Sequence, residues 1–406
     1  MISPPDSTLV SVFDFLPRTR IVFGVGSVDR LGALVREYGG ARVLLVTDAG
    51  IVRAGHGGHA VASMEEAGLT VAVFDEVVQN PTTRVVDQCV AAARREKVDF
   101  LVGLGGGSSM DTAKGCNFIL SNGGRMEDYW GVGRATQPML PMVAVPTTAG
   151  TGSECQSFAL IAQESTHVKM ACGDPKAAAR VAILDPALVR TQPRSIAAAT
   201  GVDALAHAVE SAVTKRRNPF SQMLSREAFR LCAHGVRRML ADPDDLEACG
   251  QALLGAALAG MAIENSMLGA AHAAANPLTA RFAVVHGQAV GLMLPAVVRF
   301  NAEDLESQRT YKELALSAGL ARQFTDPVEA ALALAEFLED YLNLAQLPRS
   351  LTQLGVAESD LESLATDAAR QWTAGFNPRP VAGSDFLNLY QSVLHNGTRG
   401  PKEHRP

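Results

Sequence analysis

The stretch VDFLVGLGGGSSMDTAKG, residues 98–115, constrains this chain more than any other. An apolar run ends in Gly105, Gly106 and Gly107 and passes directly into residues of helical composition, so it reads as strand, glycine turn, helix. Glycine permits positive φ and lets backbone amides approach an anion. A helix N-terminus adds unpaired N–H groups and the positive end of a dipole. Ser108 and Ser109 can cap that helix or donate to a phosphate oxygen. The stretch suits a pyrophosphate cradle, and equally a tight βα turn with a capped helix. It is neither a Walker loop nor the G-x-G-x-x-G fingerprint.

The same strand and helix alternation runs through the N-terminal half. Thr19–Phe23 reads as a strand, Gly24-x-Gly26 as a structural turn, and a helix follows through Glu37. The run Val43–Thr47 is a strand ending at Asp48; LTVAVFDEV and MVAVP are further strands, the latter leading into the loop TTAGTGSE. Alternation at this spacing predicts a parallel sheet with helices on both faces, a Rossmann-like α/β fold. An acidic side chain at a strand end can bind ribose hydroxyls and repel a 2′-phosphate, so Asp48 favours NAD over NADP; capping the following turn is the other reading. Thr147, Thr148 and Thr151 fall at the same carboxyl edge.

After about Asp185-Pro186 the pattern changes. From Arg194 onward apolar residues keep i, i+3, i+4 spacing, which predicts an all-helical second half. The 406 residues exceed one ordinary core, so two domains are expected, residues 1–190 and 191–406. Within the helical half, GVDALAHAVES places Asp203 and His207 four residues apart on one helix face. His272 follows in an Ala-rich run, and His286 precedes a glycine. One carboxylate and three imidazoles suit a divalent metal, iron or zinc. Each histidine taken singly reads as an ordinary core or surface residue.

Hydrophobic residues make up 47% and charged residues 19%, a globular profile. A formal charge of −6 without a run of Lys and Arg argues against nucleic acid or an anionic membrane as partner. The six cysteines lack C-x-x-C spacing and read as buried thiols. The N-terminal MISPPDSTLVSVFDFLP has no secretory pattern, and no segment reads as a membrane span, so the cytoplasm is the expected address. His56, His59, His167, His234, His395 and His404 are read as having no role, the last two in a disordered C-terminal end. Trp130 reads as a packed aromatic, with cleft lining as the alternative.

The motifs GGGSSMDTAK, PTTAGTGSE, the Lys169 region leading to VAILDP, GVDALAHAVES, NPLTARFAVVHGQAVGLMLP and NPRPV occur in one order along most of the chain. In this they resemble the iron-containing (group III) alcohol dehydrogenase family. The resemblance implies a dinucleotide domain, a helical domain and an active site between them, the architecture shared with dehydroquinate synthase. Asp203, His207, His272 and His286 match all four metal-ligand positions. Gly105, Gly106, Gly107 and Ser108 match the pyrophosphate site, and Asp48 the position associated with NAD preference. Asp111, Thr147, Thr148, Thr151 and Lys169 match residues lining the cofactor cleft. Homodimers or larger assemblies are usual in such proteins.

Two departures stand out. Where many members carry a second histidine near the nicotinamide, this chain reads His272-Ala-Ala-Ala-Asn276-Pro277. Asn276 takes its place among the catalytic candidates, but an amide cannot accept a proton near neutral pH. Residues Cys155-Gln156-Ser157 also differ from the familiar substrate-pocket sequence. The expected activity is NAD- and metal-dependent interconversion of small primary alcohols and aldehydes. Action on a hydroxy acid or polyol, transhydrogenation, and a dehydroquinate synthase-like lyase reaction are the alternatives. The apolar surroundings of the ligands (Met267, Leu268, Phe282, Val284, Val285) argue against the polyhydroxylated, phosphate-bearing substrate of the lyase.

Overall fold

Residues 12–166 and 168–395 are described by the computed structural model. Alternation in the first half becomes β1 (Arg20–Phe23), α1 (Leu31–Glu37), β2 (Arg42–Val46), α2 (Ala49–Arg53), α3 (His56–Glu66), β3 (Thr70–Phe74), α4 (Thr83–Glu96), β4 (Phe100–Gly105) and α5 (Gly107–Asn122). Next come β5 (Gly131–Val132), β6 (Met142–Pro146), β7 (Phe158–Ala162), β8 (Lys169–Gly173), β9 (Val181–Leu184) and α6 (Pro186–Val189). Six strands form one parallel sheet in the order β1-β9-β6-β4-β2-β3. β4, β6 and β9 are buried along their whole length, as their unbroken apolar runs require of strands covered on both faces.

The chain moves outward from β2 to β3, then returns past β2 and proceeds from β4 through β6 to β9. The direction therefore reverses between β2 and β4, and the carboxyl ends flanking that reversal form the crevice where open α/β sheets take ligands. Asp48 lies beyond the end of β2 and Gly105 ends β4.

Beside the main sheet, β5, β8 and β7 make a small mixed sheet in which β7 and β8 pair antiparallel. This pair was not foreseen, because its connection carries none of the two-residue turn signals that mark a hairpin. Its effect is to place Lys169 at the start of β8.

The second half is helical: α7 (Arg194–Val213), α8 (Pro219–Ala241), α9 (Leu246–Glu264), α10 (Ala270–Phe282), α11 (His286–Asn301), α12 (Leu305–Ser317), α13 (Pro327–Leu344), α14 (Leu361–Ala369) and α15 (Gly383–Leu394). α7 is buried on every side from Gly201 to Val213, at the centre of a core drawn from its neighbours. α9 is long and apolar enough to cross a membrane, yet it packs as a core helix. A Cβ on its Gly255 would lie 2.6 Å from Cys232 Sγ, and one on Gly260 would lie 2.3 Å from the Gly152 carbonyl oxygen. Those glycines record close helix and loop contacts. All six cysteines are buried and free, as expected. Trp130 is 47% exposed, so the packed-aromatic reading fails: the short turn carrying it lies over the surface. His234 and His395 are exposed; His167, His404 and the C-terminal end beyond His395 fall outside the described residues.

Candidate metal and cofactor site

Three helices bring the four candidate ligands together. Asp203 and His207 project from buried α7, His272 is the third residue of α10, and His286 opens α11. Gly287 makes the last placement possible. A Cβ there would lie 2.0 Å from the Ala199 carbonyl oxygen, so α11 meets α7 through a residue without a side chain, and its neighbour His286 reaches Asp203.

The Nε2 atoms of His207, His272 and His286 stand 3.5, 3.6 and 3.9 Å from Asp203 Oδ1. A tetrahedral ion bound at about 2.0–2.2 Å spaces its ligand atoms about 3.3–3.6 Å apart, so the first two separations match one ion between these atoms and the third lies slightly outside. Asp203 Oδ1 and His272 Nε2 are buried and have no hydrogen-bond partner among the described residues. Buried polar atoms left this way cost about 1–3 kcal/mol each unless something fills the space between them. The donor set and spacing fit a divalent metal. Asp203, His207 and His272 form the tightest group, and His286 completes it from the more open side.

Electrostatics follow from burial. Burial opposes ionisation of Asp203, but His207, His272 and His286 together hold its carboxyl well below the ordinary range. Burial drives His286 down to about 3 and lowers His207, so both favour the neutral form that ligates metal. His272 is the exception. Burial lowers it too, yet Glu210 and Asp203 outweigh that and raise it to about 9.

The crevice residues gather around the glycine turn. Gly105 has φ +141, and its carbonyl accepts from the Thr147 amide at 2.9 Å. A Cβ on Gly107 would lie 2.8 Å from Thr151 Cγ2, and one on Gly106 would lie 3.5 Å from Thr148 Cγ2. Thr147, Thr148 and Thr151 thus wall the turn that sequence reading paired them with. Gly106 is the N-cap of α5 and no side chain caps the helix, so the cap expected from Ser108 or Ser109 is not formed. Both serines lie within the first turn, which leaves the helix end facing the crevice.

Of the two readings of Asp48, the structure shows the cap. Its Oδ1 accepts from the amides of Gly50 and Ile51 at 2.8 and 3.1 Å, capping α2, while Oδ2 faces the turn, 3.5 Å from a Cβ built on Gly105.

Between crevice and metal ligands runs a chain of buried charges. Asp111 Oδ1 accepts from Ser153 Oγ at 2.7 Å. Lys114 Nζ donates to the carbonyls of Ser153 and Phe158 and to Ser153 Oγ at 2.6–3.0 Å. Burial lowers Lys169, against the pull of Asp111 on one side and Asp203 on the other. Asn276, one turn beyond His272, donates to Gln371 Oε1 at 3.0 Å. Lys114, Ser153 and Glu210 were not singled out from sequence. Glu210 alone had a signal, since it continues the Asp203 and His207 stripe of α7 at i+7.

Residues 17–186 match the model of the iron-containing alcohol dehydrogenase family, and residues 197–394 match that family's C-terminal region. The chain is 32% identical over 380 residues to an NAD-dependent methanol dehydrogenase of Bacillus methanolicus, covering 94% of this chain and 99% of the relative. It is 34% identical over 388 residues to a 1,3-propanediol dehydrogenase of Klebsiella pneumoniae, covering 94% and 99%. A solved 1,3-propanediol oxidoreductase superposes with a TM-score of 0.91 at 32% identity, over 95% of this chain and all of that one. Both halves, in order and nearly full length, place the chain in the iron-containing alcohol dehydrogenase family.

Proposed function

We propose that the protein interconverts small primary alcohols and aldehydes by hydride transfer with NAD, using Asp203, His207, His272 and His286 to hold a divalent metal, iron(II) by the family's name. The observation that carries this reading is the group of three imidazole nitrogens around Asp203 Oδ1. When bound, the metal supplies Lewis acidity to a substrate oxygen, a contribution of several kcal/mol.

The chain's own residues do the rest. Backbone amides at Gly105, Gly106, Gly107 and Ser108 receive the pyrophosphate, helped by the uncapped end of α5. Asp48 offers Oδ2 to the ribose while Oδ1 stays fixed by its cap, and the charge there disfavours a 2′-phosphate. Thr147, Thr148 and Thr151 line the turn, and Asp111 and Lys169 complete the proposed cofactor cleft. Asn276 and Gln371 pair as neutral amides, so neither takes up a proton near neutral pH. The buried Met267 and Val284 flank α10 and exclude water. Residues 1–190 and 191–406 act as the dinucleotide and helical domains. Cytoplasmic location and assembly as a homodimer or larger oligomer belong to the same proposal, the latter checked by light scattering.

The deciding assay is purification without oxygen, loading with iron(II), and NAD reduction with a panel of short primary alcohols, diols and hydroxy acids. Turnover of a primary alcohol by protein holding one metal per chain is expected. Bound metal with no turnover of any alcohol would sink the reading.

A further inference from the structure

We infer that Glu210 is the positioning residue of the metal site, a buried carboxylate that sets the tautomer and orientation of His272. The inference rests on the metal reading above. Glu210 follows Asp203 and His207 on the same buried stripe of α7. Its Oε2 accepts from His272 Nδ1, and its Oε1 accepts from the Ala271 amide at 2.7 Å. Glu210 thus takes the Nδ1 edge of the ring, which leaves Nε2 as the atom turned toward Asp203 Oδ1, 3.6 Å away, where it would ligate a bound metal.

A second group completes the arrangement. Asn377, in the NPRPV segment, accepts from the Ala270 amide at 3.2 Å and from Asn301 Nδ2 at 3.1 Å. Its own Nδ2 donates to Asn301 Oδ1 at 2.7 Å and to the Arg379 carbonyl at 2.8 Å. The side chains of Glu210 and Asn377 thus occupy the first two amides of α10, and the helix that carries His272 cannot rotate without breaking both. Gly269 makes room for them: a Cβ there would lie 2.9 Å from Asn377 Oδ1 and 3.1 Å from Glu210 Oε1.

The two donors on α10, one amide and one imidazole, need two acceptor oxygens. A carboxamide has one. Glu210→Gln therefore either leaves the Ala271 amide unpaired or turns its NH2 toward Nδ1, which moves the imidazole proton to Nε2 and blocks the ligand position.

Cobalt(II) alone serves as probe, titrated into the parent chain, Glu210→Gln, Gly269→Ala and Asp203→Ala. Affinity is read by chelator competition and geometry by the visible absorption of the bound ion, with melting of each metal-free form alongside. Glu210→Gln is expected to bind one cobalt(II) about 10–100-fold more weakly, with an altered absorption band. Gly269→Ala shifts both readouts the same way, and Asp203→Ala loses binding. If Glu210→Gln keeps the parent affinity and band while Asp203→Ala has lost binding, the role of Glu210 is overturned and the metal site stands. Lower melting of the metal-free forms with unchanged affinity and band also overturns it. Should Glu210→Gln not fold, Gly269→Ala decides by the same readouts. Parent-like binding by Asp203→Ala overturns the metal reading and this inference together.

Discussion

Glu154 follows the glycine-rich loop after β6, 2% exposed, with its Oε1 lacking a partner among the described residues. Burial raises its carboxyl to about 7, against a hydrogen bond to its own backbone and the pull of Lys114. The folded chain therefore holds this proton more tightly than the unfolded chain does. The stability contributed by Glu154 is greatest below the ordinary carboxyl range and falls as pH rises from 4.5 to about 7, by on the order of 3 kcal/mol. Glu154→Gln should flatten that fall, read from urea midpoints at pH 5 and pH 8; an unchanged slope would assign it elsewhere. Asp203→Ala belongs to the same scale. It should keep the parent's circular dichroism, bind no iron(II), and lose about 1,000-fold or more in alcohol turnover. Retained metal with retained activity would remove Asp203 from the ligand set. At this scale the sequence showed Asp203 and His207, because helical spacing alone puts them side by side. It did not show Lys114, whose burial depends on carbonyls of Ser153 and Phe158 that another part of the chain delivers.

The turn between β4 and α5 is the element proposed to receive the cofactor's pyrophosphate. Its glycines do different work. Gly105 takes φ +141, a region L side chains rarely adopt, while Gly107 is packed against Thr151. Gly107→Ala would push a methyl group to 2.8 Å from Thr151 Cγ2 and displace the first turn of α5, the proposed pyrophosphate site. An NAD dissociation constant raised about tenfold or more is expected, the worth of one hydrogen bond to a charged group, with metal content unchanged. Calorimetric titration with NAD checks both sides of that statement. The turn was visible as a strand, glycines and a helix in succession. The β7 and β8 pair was not, since their connection carries no two-residue hairpin signal.

For the whole molecule, the metal links two properties. Asp203, His207, His272 and His286 come from three helices, so an ion held by all four ties α7, α10 and α11 together and stabilises the folded chain by mass action. Iron(II) at about 100 times its dissociation constant should add about 2.7 kcal/mol and raise the melting temperature of the parent by a few degrees, but not that of Asp203→Ala. Equal shifts in the two proteins would mean binding elsewhere. The sequence by itself determined what local rules govern: the alternation that makes a parallel sheet, the glycine turn, the helical second half, and the candidate metal donors. Only the tertiary structure decided how distant parts meet. Asn377 reaches the start of α10 from 107 residues away, and Glu210 reaches His272 across 62. Periodicity and turn chemistry act over a few residues, whereas such pairings depend on how whole helices pack, where a single absent Cβ at Gly269 or Gly287 sets what can touch.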